Sequence, residues 1–221
     1  ETNPMYIAKV LGQFPEVTDG GLISAKLIRA AQDRRLSLGS PVVLGVDVGA
    51  GGDRNVICAR WGPVARIISA DTQPDTMKTL GNVLAAKQES GATLVRIDKN
   101  GVGKGAYDRA AELGHDDIEG INVGEGAIDN EQFENLRAES FWQLKVRFED
   151  GDIDLDPEDE DLAAELVGLK WERSSRGRIK MQSKQDMKKQ GKPSPDRADA
   201  LMLACMPDYT APFNVAAVIS V

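Results

Sequence analysis

The 221-residue sequence holds one histidine, His115, two cysteines, Cys58 and Cys205, and no apolar run approaching 18 residues. A single histidine nearly excludes serine and cysteine triads, which need a histidine base, and zinc sites of the His/Cys type, which need several ligands. The cysteines stand in separate apolar segments with no pairing pattern, so a reducing compartment is expected rather than a disulfide framework. No signal peptide and no membrane-spanning stretch are read, and no membrane partner is expected. A phosphate-binding P-loop is missing too. NGVGKG imitates one, but the pattern GxxxxGK[ST] needs glycine where Asp98 stands and Ser or Thr where Gly105 stands. The chain opens Glu-Thr-Asn-Pro, which suggests a piece of a longer protein.

Carboxylates are what remains for chemistry. The formal charge is −8, but it is unevenly spread. Nine of the thirteen residues from Glu149 to Asp161 are acidic, whereas Lys170 to Arg197 carries ten basic residues against three acidic ones. A polyanion responds to such local fields and not to the total. With 41% apolar residues one domain with a substantial core is expected.

The stretch VVLGVDVGAGGDR, 42–54, reads as a strand buried on both faces and closed by glycines. Asp47 sits inside it. A buried carboxylate costs several kcal/mol unless a cation or hydrogen bonds satisfy it, in general terms about what a buried charge costs. Gly45, on the same face, leaves room beside it. The plainer alternative is that Asp47 only caps the glycine turn.

Further along, a helix is expected from Leu22 to Arg35, then strands at 42–48, 55–61 and 64–70, the last two joined by Gly62-Pro63. A helix capped within 71–76 and stopped by Gly91 leads to a strand at 93–98 ending in Asp98. A glycine-rich turn and helix to Gly114, a strand at 118–124 and a long helix from about Asn130 to Phe148 follow. Pro157 opens a short helix through Val167, and 169–182 reads as a hairpin turning at Ser174 to Gly177. The polar segment after it is expected to be mobile. The last helix, 194–206, takes Ser194 as N-cap and Pro195 as first residue, with Asp196 and Asp199 on one side. For Asp196 simple stabilisation by the helix dipole is an equal alternative.

Asp47, Asp98 and the Asp196/Asp199 pair form an oxygen-only donor set suited to Mg²⁺ or Mn²⁺. Two such ions can activate water and stabilise the leaving oxygen in phosphodiester cleavage. The order β-β-β-α-β-α-β-α with acids at these places resembles the RNase H-like nuclease fold. GVDVGAGGDRNVI, LVRIDKNGVGKGAYDR, NLRAESFWQL and SPDRADALMLA together resemble the C-terminal nuclease domain of tailed-phage terminase large subunits.

That resemblance implies an α/β, RNase H-like fold with a five-stranded mixed sheet, three strands antiparallel and then parallel ones, flanked by helices and carrying an added β-hairpin. Residues 1–41 would be lead-in, linker and N-terminal helix, 42–206 the nuclease domain and 207–221 a tail. The implied activity is a metal-dependent endonuclease cutting double-stranded DNA of a concatemeric viral genome. Asp47, Asp98 and Asp196 would be catalytic and hold two divalent ions, with Asp199 and Asp53 as further metal-site acids. Arg176, Arg178, Lys180, Lys184, Lys188 and Lys189 would lie along the DNA. An N-terminal ATPase domain, the small terminase subunit and the portal would be partners, in the cytoplasm of an infected bacterium. A RuvC-type resolvase-like nuclease, an actin-like or sugar-kinase ATPase domain and a catalytically silent DNA-binding module stay open as alternatives. Acids clustered with so little positive charge in the neighbouring segments should also strain the metal-free protein.

Overall fold

The computed structural model describes residues 20–49 and 53–208. Most of the expected lead-in, the Ala50–Gly52 part of the glycine cluster and most of the expected tail lie outside the described residues. Helix α1 (Ala25–Asp33) is capped by the Ser24 side chain. Strands β1 (Val42–Asp47), β2 (Asn55–Trp61) and β3 (Val64–Asp71) form an antiparallel meander. Then come α2 (Thr76–Ser90), β4 (Leu94–Asp98), α3 (Gly103–Glu112) and β5 (Ile118–Ile121). β4 lies parallel to β1, and β5 parallel to β4, giving the order β3-β2-β1-β4-β5. This is the mixed five-stranded sheet of the RNase H-like fold.

The second half is α4 (Leu136–Asp150), α5 (Glu160–Gly168), the hairpin β6 (Trp171–Arg173) and β7 (Ile179–Met181), α6 (Lys184–Lys189) and α7 (Asp196–Cys205). Three expectations change. The long helix starts at Leu136 and not near Asn130, because the Asn135 side chain accepts the Ala138 N–H and ends the turn before it. The polar segment after the hairpin folds into α6, capped by Ser183 and pinned by buried Met187. Helix α7 takes Pro195 in place of Ser194 as its N-cap, so its own N-cap residue supplies no side-chain acceptor.

Alternation along the strands sorts side chains onto two faces. Leu44, Val46, Ile57, Ala59, Val95 and Ile97 pack under α2 and α3, whereas Val56 and Cys58 face the layer containing α7, α4, α5 and α1. Both cysteines are free and buried. No helix among the described residues is long and apolar enough to cross a membrane.

Helix α7 is buried on nearly every side, and both of its ends are electrostatically matched. At its C-terminus Arg60 donates to the Ala204 carbonyl at 2.6 Å, and Arg96 donates to Met206 at 2.6 Å. Cations there complement the partial negative charge of the helix end, while its first turn carries the acids. The close seat of α7 on β1 depends on Gly45. A Cβ at that position would run into the Ala200 carbonyl and the Ala204 amide, both backbone groups that cannot rotate away. Gly45→Ala is expected to lower stability by about 3 kcal/mol or more, at the upper end of overpacking costs. Urea denaturation checks this, and a midpoint equal to wild type would show that α7 does not sit this close.

Candidate metal centre

Asp47 ends β1 and Asp98 ends β4, and the two strands are parallel neighbours with Val46 opposite Ile97. Their carboxylates therefore emerge at one end of the sheet. The face of β1 that presents Gly45 also presents Asp47, so the same close packing that seats α7 brings its acidic first turn over Asp47. Asp47, Asp196 and Asp199 are each 4% exposed.

The space between these three acids is taken by one ammonium group. Lys184 Nζ, from α6, lies 3.0 Å from Asp47 Oδ2, 2.9 Å from Asp199 Oδ2 and 3.5 Å from Asp196 Oδ1. Arg137, in the first turn of α4, donates from Nε and Nη2 to Asp199 Oδ1 at 3.1 and 3.0 Å. The Arg54 amide donates to Asp196 Oδ2 at 3.1 Å. The expected strain of unneutralised acids is thus reduced by two cations. Asp98 stands beside this group, accepting the Asn100 amide at 3.0 Å. Asp53 pairs with Lys188 at 2.7 Å, one helical turn beyond Lys184.

Electrostatics follow the burial. Loss of water pushes the Asp47 carboxyl well above its usual range, an effect that Lys184 opposes and Asp199 and Asp196 reinforce. Burial likewise raises Asp98. Burial pushes Asp199 upward as well, but Arg137 and Lys184 outweigh it and hold the group below the ordinary value. For Lys184 burial favours the neutral form, yet Asp199 and Asp47 hold its proton more firmly than usual.

Five sequence-predicted acids are therefore placed at one end of the fold, although they do not form one ready cage. Among the described residues no three acidic, histidine or cysteine side chains converge as metal ligands in this arrangement. The donor set nevertheless suits a hard divalent cation, since three buried carboxylates already surround a positive charge. A divalent ion among Asp47, Asp196 and Asp199 requires the Lys184 ammonium to withdraw.

The basic residues expected along DNA divide in two. Lys184 and Lys188 are turned into the acids, Lys180 pairs with Glu172 at 3.3 Å and Lys189 with Asp186 at 3.5 Å. Among the described residues the Arg176 and Arg178 side chains make no ion pair. Arg176 lies in the hairpin turn and Arg178 just before β7. The hairpin is held by exchanged backbone bonds, Ile179 N–H to the Gln132 carbonyl at 2.8 Å and Glu134 N–H to the Ile179 carbonyl at 2.9 Å.

Two further residues of this centre were not singled out from sequence. Arg137 sits where the helix dipole disfavours a cation, a local conflict that signals a tertiary anion. Glu165, on α5, accepts the Ala198 N–H at 3.0 Å, and burial pushes its carboxyl up to about 8 despite that bond. Nothing in its local pattern sets it apart from the surrounding acids.

No family model and no curated protein sequence matches this chain. Solved structures do. The nuclease domain of the large terminase subunit gp2 of bacterial virus Sf6 superposes with a TM-score of 0.76 at 23% identity, covering 85% of this chain and 99% of that one. An alanine-substituted form of that domain with manganese and β-thujaplicinol gives 0.77 at 23% identity, covering 85% and 99%. The large terminase nuclease of thermophilic phage G20c with bound magnesium gives 0.63 at 16% identity, covering 85% and 97%. The chain has the RNase H-like fold of the nuclease domains of phage large terminase subunits.

Proposed function

We propose that this domain is a divalent-metal-dependent endonuclease that cuts double-stranded DNA, and that it serves to cut a concatemeric viral genome during packaging into phage heads. The observation that carries the reading is that Asp47, Asp196 and Asp199 all lie within 3.5 Å of a single ammonium group, with Asp98 alongside, at one end of the sheet. Manganese and magnesium in the similar nuclease domains of Sf6 and G20c support it.

Asp47, Asp98 and Asp196, with help from Asp199 and Asp53, would hold two Mg²⁺ or Mn²⁺ ions. When bound, such ions supply an activated water and charge stabilisation at the leaving oxygen. The chain's own contribution is orientation. Arg137 fixes Asp199, the Arg54 amide fixes Asp196, and the Asn100 amide fixes Asp98. Lys184 and Lys188, released from the acids, would be available to phosphate. Arg176 and Arg178 would meet the DNA backbone from the hairpin, in the cytoplasm of an infected bacterium. An ATPase domain of the same protein, the small terminase subunit and the portal are the partners this role calls for.

Plasmid nicking with chelator, Mg²⁺ or Mn²⁺ tests the reading. Cleavage is expected only with the ions, and nucleotide hydrolysis without cleavage would favour an actin-like ATPase instead. For the DNA-facing hairpin, Arg176→Ala with Arg178→Ala is expected to weaken binding evenly across sequences. The slope of log affinity against log salt should flatten by roughly one to two units, about one for each phosphate no longer neutralised. An unaltered slope in a filter-binding or anisotropy titration would take the hairpin off the DNA.

A further inference from the structure

Asp196 and Asp199 are separated by two residues, and both of these are held by α5. The Arg197 guanidinium reaches Asp159 at 3.1 and 3.0 Å and Asp161 at 3.6 Å. The Ala198 amide, on a residue with no exposed surface, donates to Glu165 Oε2 at 3.0 Å. Asp159 is itself the N-cap of α5, accepting the Leu162 N–H at 3.0 Å. The start of one helix thus grips the first turn of the other through Arg197, while the Glu165 carboxyl group later in α5 closes on its backbone.

The bond from Glu165 replaces something α7 lacks. Pro195 at the N-cap offers no side-chain acceptor, so the first-turn amides have to be satisfied from elsewhere. Glu165 does this through a backbone bond and makes no hydrogen bond to Asp196 or Asp199, although it feels the charge of both. Asp196 and Asp199 are left to point toward Lys184, Arg54 and Arg137, while the intervening residues are held from behind.

We propose that Asp159 and Glu165 of α5 are positioning residues for the metal centre, setting the helical start from which Asp196 and Asp199 project. Neither is assigned as a ligand of metal or DNA; Asp159 acts through Arg197, and Glu165 through the Ala198 amide while also feeling the charges of Asp196 and Asp199. This role rests on the metal-centre reading above. It also gives the acidic stretch from Glu149 to Asp161 an internal task, since Asp159 is turned inward onto the cation that adjoins Asp196.

Mn²⁺ affinity of the whole domain, followed by calorimetry or by the paramagnetic resonance of the free ion, tests the assignment without reference to cleavage. Glu165→Ala is expected to weaken Mn²⁺ binding about tenfold, the lower end of losses seen when outer partners of metal ligands are removed. Glu165→Gln, which still offers an oxygen to the Ala198 amide, should stay within about twofold of wild type. Asp159→Asn keeps a cap for α5 but loses the ion pair to Arg197, and should weaken binding several-fold. Val83→Ala, on the buried face of α2 in the opposite core layer, is the stability control and should lower the melting temperature while leaving Mn²⁺ affinity unchanged. If Glu165→Ala does not fold, Asp159→Asn and Glu165→Gln still decide. Wild-type affinity in Glu165→Ala or in Asp159→Asn overturns the positioning role while leaving the metal centre standing. A wild-type protein that binds no Mn²⁺ removes both.

Discussion

Asp47→Asn is expected to reduce Mg²⁺- or Mn²⁺-dependent plasmid cleavage by more than about a hundredfold while leaving the domain folded. The bound follows from comparison: removing a group that merely orients a metal ligand already costs about 10–100-fold, so losing a ligand shared at the centre should exceed it. Folding should survive because asparagine keeps the shape, and Lys184 retains Asp199 and Asp196 as partners. Asp53→Asn should lose only about 10–100-fold, because Asp53 lies at the margin with Lys188 and not among the three acids around Lys184. Circular dichroism and a metal titration of cleavage separate the outcomes. Near-wild-type cleavage by folded Asp47→Asn would remove the proposed chemistry from this end of the sheet.

What could be read from the sequence was what local chemistry dictates. Asp47 was legible because a carboxylate in a β-branched, fully apolar strand breaks the pattern of its surroundings, and Gly45 beside it announced a close neighbour. Asp98 was legible from the strand that it ends, and Asp196 from the helix that it starts. The antiparallel start of the sheet follows from turn chemistry at Gly62-Pro63, whereas the parallel pairing of the later strands is what the family resemblance implies.

By sequence alone Lys184 belongs to a basic run facing DNA, since charge spacing does not tell which way a short helix turns. Met187 decides it, because its burial rotates α6 so that Lys184 and Lys188, four residues apart, both face the acids. Ser194 failed as a cap for a similar reason. Local preference favoured it, but the tertiary bond to Glu165 satisfies the amide instead. The expected strain is only partly relieved: Lys184 and Arg137, the latter from 62 residues away, neutralise part of the cluster, yet Asp199 and Asp196 still help push Asp47 upward.

The ammonium among the acids leads to an expected result in the opposite sense to a loss of function. Without metal, Lys184→Ala leaves three buried carboxylates with Arg137, on Asp199, as the cation still paired with them among the described residues. Breaking a buried ion pair costs about 3–5 kcal/mol in general, and partial exposure of Lys184 reduces this to about 2–3 kcal/mol here. For a chain of this size that corresponds to a fall in melting temperature of roughly 5–10 °C in chelator at pH 7.5. The difference should shrink toward pH 4. Asp47 already has a raised folded-state pKa, so its contribution to stability is present below the unfolded value and is lost as pH rises through the folded one. Removing Lys184 raises that pKa further, which makes the variant's deficit a phenomenon of neutral and alkaline pH. Metal should then reverse the order of benefit. A divalent ion entering the wild type must displace the ammonium, whereas in Lys184→Ala no lysine competes for Asp47 and Asp196, so Mn²⁺ affinity should rise about tenfold, equivalent to about 1.4 kcal/mol. At equal Mn²⁺ the variant therefore gains more melting temperature than the wild type, since stabilisation grows with the ratio of free ion to dissociation constant. Differential scanning fluorimetry of both proteins, in chelator and across a Mn²⁺ series at pH 4.5 and 7.5, reads each of these effects. Equal melting temperatures in chelator together with equal Mn²⁺ shifts would mean that Lys184 does not occupy the acid cluster in solution, and the competition between lysine and metal would have to be given up.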